Sequence, residues 1–247
     1  MTGNTYQKYN HKWKYLSDHQ SHTEKNTNRF GVTVTHTVSS SLFYTAQISQ
    51  FVNTLKVQVG NKRPQEYVRR QTGKTVDFYV SGDDAQYTDD KSTTVSGKVD
   101  ATFQANQNNQ FKSGFEIKSY RIQVHEEEEP WPSGKQYKDR YDRSPIEGAA
   151  YLQDKIEYDY LIINLGLRYD YVDPKATMWP NIRRFGSFDS TNNWIPAKEE
   201  KVSPKTQLSP RIGLAHPITD RAVLHFSYGH FFQNPDFNSL YYNQTKI

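Results

Sequence analysis

Cysteine is missing from the whole chain, which excludes disulfides and thiol chemistry while leaving the compartment open. Long apolar runs are missing too, and none approaches the roughly 20 residues that a transmembrane helix needs. Met1 to Asn4 begins no basic stretch followed by an apolar one, so the start of the sequence does not read as a secretory signal. Excess charge is small. Against 31 Lys and Arg stand 27 Asp and Glu, a net +4 with no basic stripe, which argues against a nucleic-acid partner. The sequence holds no Gly-rich phosphate loop, no zinc-type ligand spacing and no G-x-S-x-G elbow. It therefore points to no cofactor, no metal and no enzyme.

What is present contradicts a simple polar chain. Hydrophobic residues make up only 34% and mean hydropathy is −0.91, yet aromatics reach 14%, with 18 Tyr and 13 Phe. Disordered chains are poor in aromatic and β-branched residues. Polar on average but rich in Tyr and Phe describes alternating strands, in which half the positions are wet. The run from Ala222 shows it: Ala222, Leu224, Phe226, Tyr228, His230 and Phe232 fall on one side, with Arg221, Val223, His225 and Ser227 on the other. A second run places Leu161, Ile163, Leu165, Leu167, Tyr169 and Tyr171 opposite Ile162, Asn164, Gly166, Arg168 and Asp170. Its apolar row ends in two tyrosines, where an interfacial aromatic girdle would sit.

Such runs predict strands near 6–16, 28–38, 42–58, 92–105, 110–124, 146–157, 160–172, 207–216 and 221–232. Several match the roughly 9 to 11 residues that cross a bilayer at a tilt. Pro210 inside one of them cannot donate to a ladder and needs a bulge or an otherwise free position. Short connections at Ser39–Ser41, Asn106–Asn109, Tyr158–Asp159 and Pro217–Asp220 alternate with long polar ones over 60–91, 126–145 and 173–206. Strict alternation puts every short turn on one side of a sheet and every long loop on the other. Up-and-down outer-membrane barrels have this asymmetry, with short periplasmic turns and long outer loops.

Three stretches carry a resemblance. "THTVSSSLFYTAQIS" (Thr35 to Ser49), "YLQDKIEYDYLIINLGLRYDYVDP" (Tyr151 to Pro174) and "LSPRIGLAHPITDRAVLHFSYGHFFQNPDFNSLY" (Leu208 to Tyr241) resemble the barrel of TonB-dependent outer-membrane receptors. The likeness is to the subgroup with a carboxypeptidase-regulatory-like N-terminal domain, often called Oar-like. It implies an antiparallel, up-and-down transmembrane β-barrel of 22 strands around a separate plug, in the outer membrane of a Gram-negative bacterium. Uptake of a nutrient too large for porins would be energised by the TonB complex. With about 8–9 strands, no recognisable plug and no TonB box, residues 1–247 read as part of such a barrel wall. The rival readings are a small self-closed outer-membrane barrel serving as an enzyme or adhesin, and a soluble all-β binding module with its oily faces in a sandwich core.

Candidate sites follow from the barrel reading. Trp131, Trp179 and Trp194 lie in the long loops, where aromatic residues serve recognition, although for any one of them packing its own loop on the rim is the favoured reading. Lys155, Glu157, Arg168, Asp170 and Arg211 would face the lumen, pairing with one another or with a plug in preference to substrate. The run His125 to Glu129 cannot converge on one ion and reads as solvated. Asp83-Asp84 with Asp89-Asp90 is a better calcium cage, yet a charged loop is the simpler reading. His11, His19 and His22 lack accompanying ligands. His216 and His230 share the oily row of their strands.

Overall fold

The computed structural model describes residues 2–72, 77–131, 137–178, 186–191, 194–219 and 221–241. In chain order the strands are β1 (Thr2–Tyr6), β2 (His22–Ser39), β3 (Leu42–Gln58), β4 (Gln71–Thr72), β5 (Tyr79–Ser81), β6 (Gln86–Gln104), β7 (Asn109–Glu128) and β8 (Tyr137–Arg143). Then come β9 (Ile146–Tyr158), β10 (Leu161–Asp173), β11 (Thr177–Met178), β12 (Gly186–Phe188), β13 (Trp194–Pro196), β14 (Glu200–Lys201), β15 (Lys205–Thr219) and β16 (Ala222–Gly229). A short helix, α1 (Phe237–Tyr241), follows. No helix among the described residues is long and apolar enough to cross a membrane.

One 10-stranded antiparallel sheet dominates, in the order β1-β2-β3-β6-β7-β9-β10-β15-β16, with β8 also on β7. Neighbours in the sheet are neighbours in sequence, which is the up-and-down plan. Three two-stranded ribbons, β4-β5, β11-β14 and β12-β13, lie in the long connections. Among the described residues β1 and β16 are the sheet's two ends and do not pair with each other, so the sheet is open.

Register converts the period-two pattern into a band. One rung joins Val34, Ala46, Val99, Phe115, Ala150, Tyr169 and Leu208 across seven strands. Residues directly opposite in an antiparallel ladder share a face, so this whole row is outward. Val32, Val34, Ile48, Val99, Phe115, Leu152, Leu165, Leu167 and Phe226 on the same face are all exposed. Farther from the short turns the row changes character at one height, where Asn28, Val52, Thr93 and Arg121 share a rung, followed by Asn26, Thr54, Lys91 and Gln123. Strands β2, β3, β6 and β7 run to 18, 17, 19 and 20 residues. A tilted span uses roughly 9 to 11, so their upper halves project beyond the apolar band. Asp154 brings a carboxylate into the band. It lies between Phe111 and Leu165 on its rung, and its Oδ1 is buried without a hydrogen-bond partner.

Three expectations from the sequence are corrected. The strand expected over 6–16 is confined to Thr2–Tyr6; residues 11–13 and 17–19 form 3-10 turns instead. Asn10 accepts from the Lys12 N–H at 3.0 Å, and Trp13 is buried against Tyr79 with ring centroids 4.5 Å apart. The connection expected over 126–145 is much shorter, because β7 runs to Glu128 and β8 pairs with its upper part. β8 and β9 both lie on β7 and are interrupted at Ser144-Pro145, where Pro145 has no N–H to give. The strand expected over 221–232 ends at Gly229.

Pro210 sits where that ladder stops. The last rung is Arg211 with Gly229, and the Pro210 carbonyl accepts from the His230 N–H at 3.1 Å. A residue's N–H and C=O point to the same side of a strand, so the missing donor falls on the side where no ladder continues.

Candidate functional site

The inner face is polar because the same register that gathers oily residues outside gathers the intervening ones inside. Lys155, Glu157, Arg168, Asp170 and Arg211 all lie on this face. Most are held by a neighbour on their own strand. Lys155 Nζ is 2.7 Å from Glu157, and Arg168 contacts Asp170 at 2.8 Å. Arg211 differs: its guanidinium stands 5.1 Å from the Phe231 ring centroid. Two further same-strand pairs continue the pattern, Lys98 with Asp100 at 2.8 Å and Lys118 with Glu116 at 3.3 Å. Pairs two residues apart on a strand share a face, so alternating charge is legible in sequence once the face is known.

A strap crosses this inner face. After Gly229 the chain leaves the wall, and Phe231 packs by Arg211 of β15. Asn234 then donates to Glu147 of β9 at 3.1 Å, and Glu147 also accepts from the Tyr120 hydroxyl at 2.6 Å. Phe237 and Tyr241 of α1 end in a cluster with Ile122, Tyr141, Val172 and Ala176. Tyr241 is fully buried, and its hydroxyl donates to the Pro174 carbonyl. The period-two pattern gave no sign of this, since Phe232 continues the alternation beyond the point where the strand stops.

At the same long-connection end of the sheet, over the β1–β2 and β3–β6 connections, a buried carboxylate ties the two connections together. Asp83 accepts from Lys62 at 2.7 Å and from the Val68 N–H at 2.8 Å, and its Oδ1 lies 2.8 Å from His19 Nδ1. Burial alone would raise this carboxyl, but Lys62, the Val68 N–H and His19 together outweigh it and hold it below the ordinary carboxylate range. Asp84 accepts from the Ser21 hydroxyl at 2.8 Å. The Asp83-Asp84 pair is thus occupied by cations and donors of the protein itself. Among the described residues no group of His, Asp and Glu is arranged to hold a metal. Tyr67, also buried here, accepts from the Val59 N–H at 3.0 Å, and burial pushes its hydroxyl up to about 12. His125 pairs with Glu127 at 2.9 Å within the acidic run.

The three tryptophans fall differently. Trp131 is buried, with 3% of its surface exposed. Trp194 opens β13 and pairs in register with Phe188. Trp179 lies outside the described residues.

An open antiparallel sheet with an apolar outer band, a polar inner face, short turns at one end and long connections at the other is a segment of a transmembrane barrel wall. The family model for the TonB dependent receptor-like β-barrel matches residues 2–246, and the chain belongs to that family. Among solved structures it is similar to a copper transporter, OprC, with a TM-score of 0.58 at 13% identity over 89% of this chain and 33% of that one. The chain therefore spans about a third of that transporter's length. It also aligns with the Ralstonia pickettii toluene transporter TbuX, with a TM-score of 0.35 at 11% identity over 84% of this chain and 57% of that one. No curated protein sequence matches it.

Proposed function

We propose that residues 1–247 form part of the barrel wall of an outer-membrane TonB-dependent receptor that takes up a nutrient too large for porins. Its subgroup would be the carboxypeptidase-regulatory-like, Oar-like one that the three hairpin stretches resemble. The observation that carries the reading is the registered outer row, whose apolar rung joins seven strands and which on β2, β3, β6 and β7 gives way at one height to mostly polar residues. A soluble sandwich would bury that face against a second sheet, whereas here its large side chains are exposed. Family membership supports the rest: a plug domain filling the lumen, and TonB as the energy source.

In this reading the wall does no covalent chemistry. Its outer face meets lipid, its inner charged pairs meet the plug, and its long connections meet the ligand. Trp179 and Trp194 are the candidates for ligand contact there, with Trp131 as a packing anchor. Deleting the gene and growing the strain on single sources of iron, carbon and nitrogen tests the function. A growth defect on one source, reproduced by loss of TonB, is the expected result. A normal phenotype with the product in the soluble fraction would overturn it.

A further inference from the structure

Most of the inner charged residues described above are already paired on their own strand. Lys112 and Arg211 are not: among the described residues neither has a carboxylate partner, and Arg211 meets only the Phe231 ring. Register places both on one rung, Lys112 opposite Gln153, Gln153 opposite Gly166, and Gly166 opposite Arg211. Three strand spacings separate their Cα atoms by about 14 Å, which two long side chains leaning inward can close upon.

Between them is a cavity of about 430 Å³ lined on the inner face by Gln110, Lys112, Gln153, Lys155, Asn164 and Arg211. Its floor is glycine. A Cβ on Gly166 would stand 3.2 Å from Gln153 Cγ, and one on Gly229 would stand 3.2 Å from Arg211 Cγ. Absent side chains there let the arginine stem and the glutamine lie close to the backbone. Lys155 adds a third cation, shared with Glu157. Asp154 is the lining's one acid, and its side chain belongs to the outer row. Leu165, Ile212, Tyr228 and Phe231 also line it, so the cavity offers a guest apolar surface beside its cations and amide donors, with no carboxylate on the inner face.

We propose that this cavity is an anion site on the lumen wall, one that takes a carboxylate or phosphate group of a small molecule passing along it. The site rests on the barrel reading, since only a barrel makes this face a passage. Arg211 supplies a planar, permanently charged fork, and Lys112 a mobile point charge on the opposite side. The amides of Gln153 and Asn164 complete the donor set, the Gln110 amide already donating to Gln104 at 3.0 Å.

The test uses the full-length receptor in detergent, with inorganic phosphate as the probe. Heat unfolding is followed in phosphate and in chloride at matched ionic strength, because a ligand that binds the native state raises its midpoint. Phosphate is expected to raise the midpoint of the wild type. Arg211→Gln is expected to lose about tenfold in phosphate affinity, which is what one charge-assisted hydrogen bond is worth. Arg211→Lys should keep part of the effect, and Lys112→Gln with Arg211→Gln should abolish it. Crystals of the same receptor soaked in selenate should show the anion over Gly166. An equal phosphate effect in the double variant would overturn the site, as would a carboxylate of the receptor's plug filling the cavity. A structure in which Lys112 and Arg211 do not face a lumen would instead sink the barrel reading on which the site depends.

Discussion

The Tyr151 ring lies across Gly114, and its hydroxyl donates to Asp100 Oδ1 at 2.7 Å on the strand beyond. Register sets this up, with Tyr151 opposite Gly114 and Gly114 opposite Asp100. A Cβ on Gly114 would stand 2.3 Å from Tyr151 Cε1 and 2.6 Å from Asp100 Oδ1, so only glycine admits the ring. An aromatic side chain covering a strand glycine supplies the packing that the glycine lacks and pins the register of three strands.

Gly114→Ala is accordingly expected to destabilise the wall by about 1–3 kcal/mol, the usual cost of forcing atoms into a filled space. Tyr151→Phe keeps the ring over the glycine and loses only the hydrogen bond, about 0.5–1.5 kcal/mol. Urea unfolding of the full-length receptor in detergent ranks the two; a milder effect for Gly114→Ala than for Tyr151→Phe contradicts the packing.

The two faces are separable by substitution. Leu165 is on the outer apolar row and Asn164 on the inner one. Leu165→Arg is expected to cost about 2–4 kcal/mol near the middle of the bilayer, and Asn164→Arg much less. Spin labels at Leu224 and His225 should divide in the same way, the first collision-relaxed by oxygen and the second by a water-soluble agent. Equal relaxation at both positions would remove the face assignment.

Asp154 sits in the outer apolar row with an unpartnered oxygen. Asp154→Leu restores the row and should stabilise the receptor by an amount on the order of 1 kcal/mol, read as a higher thermal midpoint. A fall would show that the carboxylate has a partner in the complete barrel.

The outer knot should depend on acid. Asp83 is held below the ordinary carboxylate range, so its contribution is complete at pH values above that range and is lost as pH falls through the lowered value. Hydrogen exchange of residues 60–68 is expected to quicken below about pH 4. Asp83→Asn should show fast exchange already at neutral pH. Unchanged exchange in that variant would mean that Lys62 and His19 are not what holds the loop.

Loop polarity can be read in cells. Protease added outside intact cells that carry the full-length receptor is expected to cut in the connections between β3 and β6 or between β10 and β15 and to spare the turn between β15 and β16. Cleavage confined to the short turns would invert the orientation.

Much of this architecture was legible in the sequence because a strand's two faces are fixed by parity alone. Leu161 to Tyr171 and Ala222 to Tyr228 announced their oily rows, and once the outer face was known Lys155, Glu157, Arg168, Asp170 and Arg211 had to share the other. Short turns such as Ser39–Ser41 fixed the hairpins, since a tight turn leaves one register available. Parity does not say where a strand stops. Phe232 continues the alternation of Phe226 and Tyr228, yet the chain departs at Gly229, because burial of Phe237 and Tyr241 against Tyr141 and Val172 is a contact across more than 60 residues of sequence. Nor does parity reveal that Asp154 falls between Phe111 and Leu165, that Tyr151 rests on Gly114, or that Asp83 meets Lys62 and His19. Those neighbours lie on other strands or loops, and only the registered sheet brings them within reach.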